Sequence, residues 1–348
     1  MTAARHAGGN PRGRPARSRA ARTGVVAMAI ALLASLATAL AAGSTSGVAQ
    51  TDELTSPGTE RGDLPTAAEV HEWERAFLRS EGEPKAPGPA PPVSRGTRTL
   101  FPQNRVVSLY GAAGGFGVLG RKSVNGAAKK LKRQAKPYAH IGNIPVVKAF
   151  DLVAVIATSC ANSRDKCRTR VSSSTIQRYL NKIRELNGRL ILDIQPARSN
   201  VMKEIDHLRP FLREPDVDVA IDAEWNVGRH GTPGSDQGSI SAKKLNEASL
   251  ELQSIVKHNH LSQKLMIVHQ FRKGSIKHDG DVKRRDKVDP TFNFDGIGNP
   301  SAKKAGYRQL STSKLFNGFS LFYKLDDNMM SPRGVLKLNP KPDYVMYQ

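Results

Sequence analysis

Between residues 101 and 348 the chain alternates short apolar runs with polar or amphipathic stretches, and this alternation limits the fold more than any other feature. The runs are RVVSLYG (105–111), FDLVAVIA (150–157), RLILDIQ (189–195), VDVAIDAEW (217–225), LMIVHQF (265–271), TFNFDGIG (291–298), GFSLFYKLD (318–326) and DYVMYQ (343–348). Helical spacing fills the stretches 123–138, 172–188, 200–214 and 241–259, with Ser172 and Ser241 as N-caps and Gly188 as a stop. Eight strands separated by helices in one segment of this length predict an α/β fold: a (β/α)8 TIM-like barrel with a closed parallel sheet, typically about 250 residues. The rival is an open doubly wound sheet. No GxGxxG opens the helix after the first strand, so dinucleotide binding has no support. Since the eighth strand comes last, its following helix is missing. Residues 66–81 place Val70, Trp73, Phe77 and Leu78 on one helical stripe, and this helix is expected to fill that gap between the last and first strands.

The fourth run carries the sharpest chemical signal. In a strand, residues two apart share a face. Val217, Val219, Ile221 and Ala223 then line the side that packs under helices, and Asp218, Ala220, Asp222 and Glu224 line the barrel interior. A buried carboxylate costs several kcal/mol unless it is partnered or working.

Function in such barrels sits where strands end and loops to helices begin. Acids, amides, a histidine and aromatics recur at those ends. The candidate catalytic residues are Glu224, Asp222, Asp193 and Asp295. The candidate substrate-binding residues are Tyr110, Gln195, Trp225, His269, Gln270, Tyr323 and Gln348. Each has a structural reading as well: Asp193 as a helix cap, Asp222 and Glu224 as partners of Arg198 or Lys324, His269 as a wall residue. The glycines Gly114, Gly115 and Gly117 lack a following GKS/T and read as a tight loop.

The N-terminus narrows the setting. Six arginines and no acids precede residues 24–42, GVVAMAIALLASLATALAA, and small residues follow. This is the pattern of a Sec signal peptide, with cleavage after Ala39, Ala42 or Ala49. An uncleaved membrane anchor is the alternative, since the run approaches a span of about 20 residues. The expected organisation is a signal peptide at 1–49, an extension at 50–100 with a helix and a proline-rich linker, and the barrel at 101–348. Cys160 and Cys167 are the only cysteines, and in an exported protein a local disulfide follows. The formal charge is +22 and stays strongly basic without the leading arginines. That charge suits polyanions such as phosphate-bearing wall polymers or a membrane surface. Export and sparse aromatics argue against nucleic acid.

The segments LILDIQPAR, VAIDAEW, IVHQF, FDGIG and the terminal YVMYQ together resemble a family of exported actinobacterial proteins without an assigned activity. Separately, IDAEWN resembles the DxE strand end of the family 25 lysozymes (N-acetylmuramidases) and, more loosely, the DxE tail of chitinase-like barrels. Those resemblances imply a glycan substrate, Glu224 as proton donor and Asp222 as its supporting acid. Two departures stand beside them. The first strand ends SLYG without the Asp those lysozymes carry there, and Asp218 and Asp222 are four apart.

The resulting expectation is a secreted or cell-envelope glycan-active protein, a glycoside hydrolase acting on envelope polysaccharide. It would be monomeric and need no cofactor. The alternatives are a non-catalytic glycan-binding protein on the same scaffold, or a metal-dependent hydrolase using Asp193, Asp222, Glu224, His269 and Asp295. No HxH or HExxH motif supports the last, and no metal ligand set is assigned.

Overall fold

The structure is a computed structural model that describes residues 64–82, 86, 88–90, 100–141 and 143–348. The signal-peptide stretch, most of the extension and much of the proline-rich linker lie outside the described residues. Among the described residues no helix is long and apolar enough to cross a membrane.

Eight parallel strands close into a barrel: β1 (Arg105–Gly111), β2 (Val146–Ala157), β3 (Arg189–Ile194), β4 (Val217–Asp222), β5 (Lys264–Gln270), β6 (Val288–Phe294), β7 (Phe316–Leu321) and β8 (Tyr344–Tyr347). Closure is made by β8 against β1, with Val106 opposite Tyr344 and Leu109 opposite Tyr347. On its other side β1 pairs with β2 from Arg105–Val146 to Gly111–Leu152. A closed parallel sheet leaves no free edge and buries both faces, which is why its strands are nearly continuous apolar runs.

The outer layer is α2 (Gly117–Arg121) and α3 (Val124–Ile141) after β1, α4 (Ser173–Arg184) after β2, α5 (Val201–Leu212) after β3, α6 (Ala242–His258) after β4, α7 (Pro300–Leu310) after β6 and the short α8 (Pro332–Val335) after β7. Between β5 and β6 there is no α-helix; a two-residue strand, Ile276–Lys277, pairs there with Ile240–Ser241. The helix α4 shows how the layer is held. The Ser172 hydroxyl caps its start by accepting from the Thr175 amide at 3.2 Å. Ile176, Tyr179, Leu180 and Ile183 then repeat at helical spacing and are all buried. Burying such a side chain stabilises by about 1.5–3 kcal/mol, and Ile183→Ala would cost about 2–5 kcal/mol. Ser241 caps α6 in the same way. Gly188 has a different duty from the stop expected of it. The left-handed turn is made by Asn187, at φ 49°. A Cβ on Gly188 would lie 2.5 Å from the Lys148 carbonyl, so glycine is needed for close approach.

One expectation fails. The helix α1 (Ala67–Glu81) is present, with a Thr66–Glu69 capping box, but it does not fill the gap beside β8. Its buried Glu74 accepts from the Ser172 amide and the Thr175 hydroxyl, each at 2.6 Å, at the N-terminus of α4. Phe77 stacks on Tyr179 with centroids 5.4 Å apart. Trp73 lies on the β1–α2 loop, where a Cβ on Gly114 or Gly115 would collide with it. A carboxylate needs donors when it is buried, and a helix N-terminus supplies them. The outer face of β8 is already covered from α3: the Tyr138 and Tyr347 hydroxyls are 2.6 Å apart.

Candidate active site

Strand alternation sends one set of side chains into the barrel, and cross-barrel contacts identify it. Tyr344 on β8 donates to Asp151 on β2 at 2.5 Å and accepts from Ser108 on β1 at 2.7 Å. The rings of Tyr110 on β1 and His269 on β5 lie 6.2 Å apart. On β6, Asn293 bonds Ser320 on β7 at 2.8 Å and approaches His269 Nδ1 at 3.2 Å. Asp193, Asp222 and Asp295 complete the set at the C-terminal ends of β3, β4 and β6, and all three are buried.

These groups share one electrostatic field. Asp295 Oδ2 lies 3.2 Å from His269 Nδ1. Burial pulls the imidazole down, but the Asp295 hydrogen bond and the charges of Asp193, Asp295 and Asp222 outweigh it, and its pKa lies well above the ordinary value. The Nδ1 atom is thus set to share a proton with the Asp295 carboxylate. Burial, only partly offset by His269, raises the Asp193 carboxyl above the usual carboxylate range. It raises Asp222 well above that range, with Asp193, Glu224 and Asp295 adding to the effect. Asp151 is pushed up to about 7, by burial first and then by Asp193. Three carboxyls thus hold protons further up the pH scale than free aspartate.

The site also leaves polar atoms without partners. Neither oxygen of Asp193 has a well-formed hydrogen bond, although the Tyr110 hydroxyl and the Ile194 amide lie near enough to favour its ionised form. Asp151 Oδ1, Asp295 Oδ1, Asn293 Oδ1 and His269 Nε2 are likewise unpartnered. Folded proteins pair nearly all such groups, and exceptions concentrate at working sites.

Glu224 departs from the face assigned to it. β4 ends at Asp222, and Ala223–Trp225 is a 3₁₀ turn that breaks the two-residue alternation. The Asp222 carboxylate accepts from the Glu224 amide at 3.3 Å, which starts that turn. Glu224 therefore sits half-buried on the lip, above the interior set.

The remaining candidates divide. Gln195 ties three strand ends together: its amide donates to the Tyr110 hydroxyl at 3.3 Å, and its carbonyl accepts from the Ala157 amide at 3.0 Å. Trp225 belongs to a small apolar cluster with Ala157, Ala197 and the disulfide. Gln270 is turned away from the interior and donates to the Leu310 carbonyl at the end of α7, at 2.9 Å. Tyr323 stacks on Tyr347 outside the barrel wall and donates to Gln134 of α3 at 2.7 Å. Gln348 closes the chain with backbone bonds to Leu321 and Tyr323. Cys160 and Cys167 form a disulfide in the loop after β2, on the mouth side. Sequence reasoning passed over Asp151, Tyr344, Asn293, Ser320 and Ser108. Asp151 had a readable signal, being the one charged residue in the apolar run AFDLVAVIA.

Among the described residues no group of three or more His, Cys, Asp or Glu side chains is arranged to hold a metal ion. The cluster of buried, mutually interacting acids suits proton transfer and hydrogen bonding to a polar ligand.

No family model and no curated protein matches the chain. Among solved structures it is similar to the GH26 domain from the endo-beta-mannanase/endo-beta-glucanase PbGH26-GH5A of Prevotella bryantii, at 9% identity and a TM-score of 0.36, over 83% of this chain and 90% of that one. It is also similar to the Bacillus subtilis mannanase man26, at 12% identity and a TM-score of 0.37, over 85% of this chain and 88% of that one. Likeness of this degree does not extend to activity.

Proposed function

We propose that the chain is an exported glycan-active protein, a glycoside hydrolase acting on cell-envelope polysaccharide. The observation that carries this reading is the set of buried carboxyls, Asp193, Asp222 and Asp295, at the C-terminal mouth of a closed barrel, with both oxygens of Asp193 and one of Asp295 unpartnered. Glycoside hydrolysis needs one carboxyl that protonates the leaving oxygen and a second that acts as base, nucleophile or charge stabiliser. Burial first, and then the neighbouring carboxylates, hold the Asp222 proton above the usual carboxylate range. In this reading it is the general acid, and Glu224 on the lip is its charged partner. That exchanges the roles the lysozyme resemblance implies. Asp193 supplies a further carboxyl beside the sugar ring, and the His269–Asp295 pair offers a hydrogen-bonding wall to its hydroxyls. Trp225 offers an apolar ring face beside the acids.

The outer surface supports the envelope setting. On α3, Lys129, Lys132, Arg133 and Lys136 are exposed on one face, and the helix has no acid. Among the described residues none of these four has an ion-pair partner. Such a face holds a protein to an anionic polymer.

A second reading has its own observation. The interior acids are almost wholly covered, Asp222 being 6% exposed and Asp193 0%. A glycan-binding protein without turnover would have that arrangement too. The test is mass spectrometry of wall-glycan panels incubated with the wild type and with Glu224→Gln and Asp222→Asn. Hydrolysis predicts smaller products from the wild type and a loss of about 10²–10⁴ in rate for each variant. Binding without any product moves the assignment to the second reading.

A further inference from the structure

Trp225 follows directly on the lip acid, yet it is only 9% exposed. What covers it comes from outside the barrel segment. Leu64, ahead of α1, packs on the cluster of Ala157, Ala197, Trp225 and the Cys160–Cys167 disulfide. The next residue, Pro65, accepts from the Ser159 amide of the disulfide loop at 2.9 Å. On the far side the Leu64 side chain reaches Gly234 in the loop after β4, 3.4 Å from where a Cβ would stand. The strap is held from behind by α1, which Glu74, Phe77 and Trp73 fix to the barrel. Two residues therefore bridge the loops after β2 and β4, and the leucine packs on the apolar cluster that holds Trp225, the residue after Glu224.

A leucine side chain and the face of a pyranose ring are alike in one respect: both are compact apolar surfaces that bury well against an indole. We propose that the cradle of Trp225, Ala157, Ala197 and the disulfide is a sugar-ring subsite of the mouth, which Leu64 occupies in the free protein and must leave when a glycan enters. This inference rests on the glycan-active reading above. The disulfide acquires a purpose, since it floors the subsite and fixes the loop that Pro65 grips.

The test uses the full exported chain carrying Trp73→Phe, which leaves Trp225 as the sole tryptophan, and Trp73→Phe alone is the reference for every Leu64 variant. Leu64→Ser is compared with the unplugged control Leu64→Ala, a milder change that keeps the backbone should the serine variant misfold. Acrylamide quenching reads access to Trp225, and titration with N-acetylglucosamine hexaose and with wall glycan fragments reads affinity. A cis occupant lowers apparent affinity by the fraction of molecules that are open. Both variants should make Trp225 more quenchable and tighten glycan binding, by about 10-fold for the serine variant. Unchanged quenching would overturn the strap. Greater quenching with glycan affinity unchanged would overturn the subsite. Absence of binding by the wild type and both variants, with quenching increased, would instead sink the glycan reading on which the inference rests.

Discussion

The two ends of this barrel bury charge in opposite ways. β3 carries Arg189 at its start and Asp193 at its end; β4 carries Asp218 and Asp222; β5 carries Lys264 and His269. At the N-terminal end almost every charge is answered. Arg189 grips Asp218 through two nitrogens, at 2.5 and 2.8 Å, and the Leu265 amide donates to the same carboxylate. Arg184 does the same to Asp216, at 2.7 and 2.8 Å, and reaches Glu214. Lys264 donates to the carbonyls of Glu214 and Val217. Among the described residues Arg105 leaves one nitrogen, Nη1, unpartnered there. Around the mouth the helix starts and loops are paired too, Glu204 with Arg168 and Arg170 and Lys303 with Asp326, but inside the barrel at that end one ion pair, His269–Asp295, stands among carboxyl oxygens with no donor. Strands that supply well-made pairs at one end do not lack the means to do so at the other. The unpaired end is kept for contacts that folding does not make.

The contrast breaks most readily at Arg189. Arg189→Met strands the buried Asp218 carboxylate, and such a loss costs about 3–5 kcal/mol. Urea denaturation should show it directly, and a variant as stable as the wild type would remove the structural role of that end. The mouth relies on other supports. Reduction of the Cys160–Cys167 bridge closes off a short loop's constraint and should cost about 2–3 kcal/mol, read as a lower urea midpoint in the Cys160→Ser, Cys167→Ser protein.

Much of this was legible beforehand, for physical reasons that differ from residue to residue. The period-two and period-3.6 runs carried the barrel, because each strand must bury both faces. Parity within a strand brought Asp193, Asp222 and His269 together, and Asp295 followed from its place one residue past β6. Parity could also have excluded Gln270, which neighbours His269 and so faces out. It fails once a strand ends. Glu224 lies in a 3₁₀ turn and Tyr323 beyond β7, where no alternation applies. The site of α1 was hidden because it depends on which helix start answers Glu74, a tertiary fact. Asp151 was masked by the apolar run around it.

A smaller effect sharpens the mouth itself. Asp193→Asn keeps the shape and removes an uncompensated charge, so stability at pH 7 should hold or rise by about 1 kcal/mol, the reverse of Arg189→Met. The pH dependence has a definite sign. Asp151 has a folded pKa of about 7, above its unfolded value. Its contribution to stability is complete below about pH 4 and is lost as pH rises towards 7. Asp151 and Asp193 influence each other, so the decline belongs to the pair. Asp151→Asn should flatten the fall in stability between those pH values, measured by urea midpoints across the range. An unaltered slope would mean that Asp151 titrates in the fold as it does in the unfolded chain.

The central claim is that the buried mouth carboxyls, Asp222 first among them, serve chemistry on a glycan. Product formation from wall glycan by Asp222→Asn, at folded concentration equal to the wild type, tests it most directly. The account predicts cleavage by the wild type and a rate at least about 100-fold lower in the variant. Equal rates in the two proteins, or no cleavage by either, would contradict it.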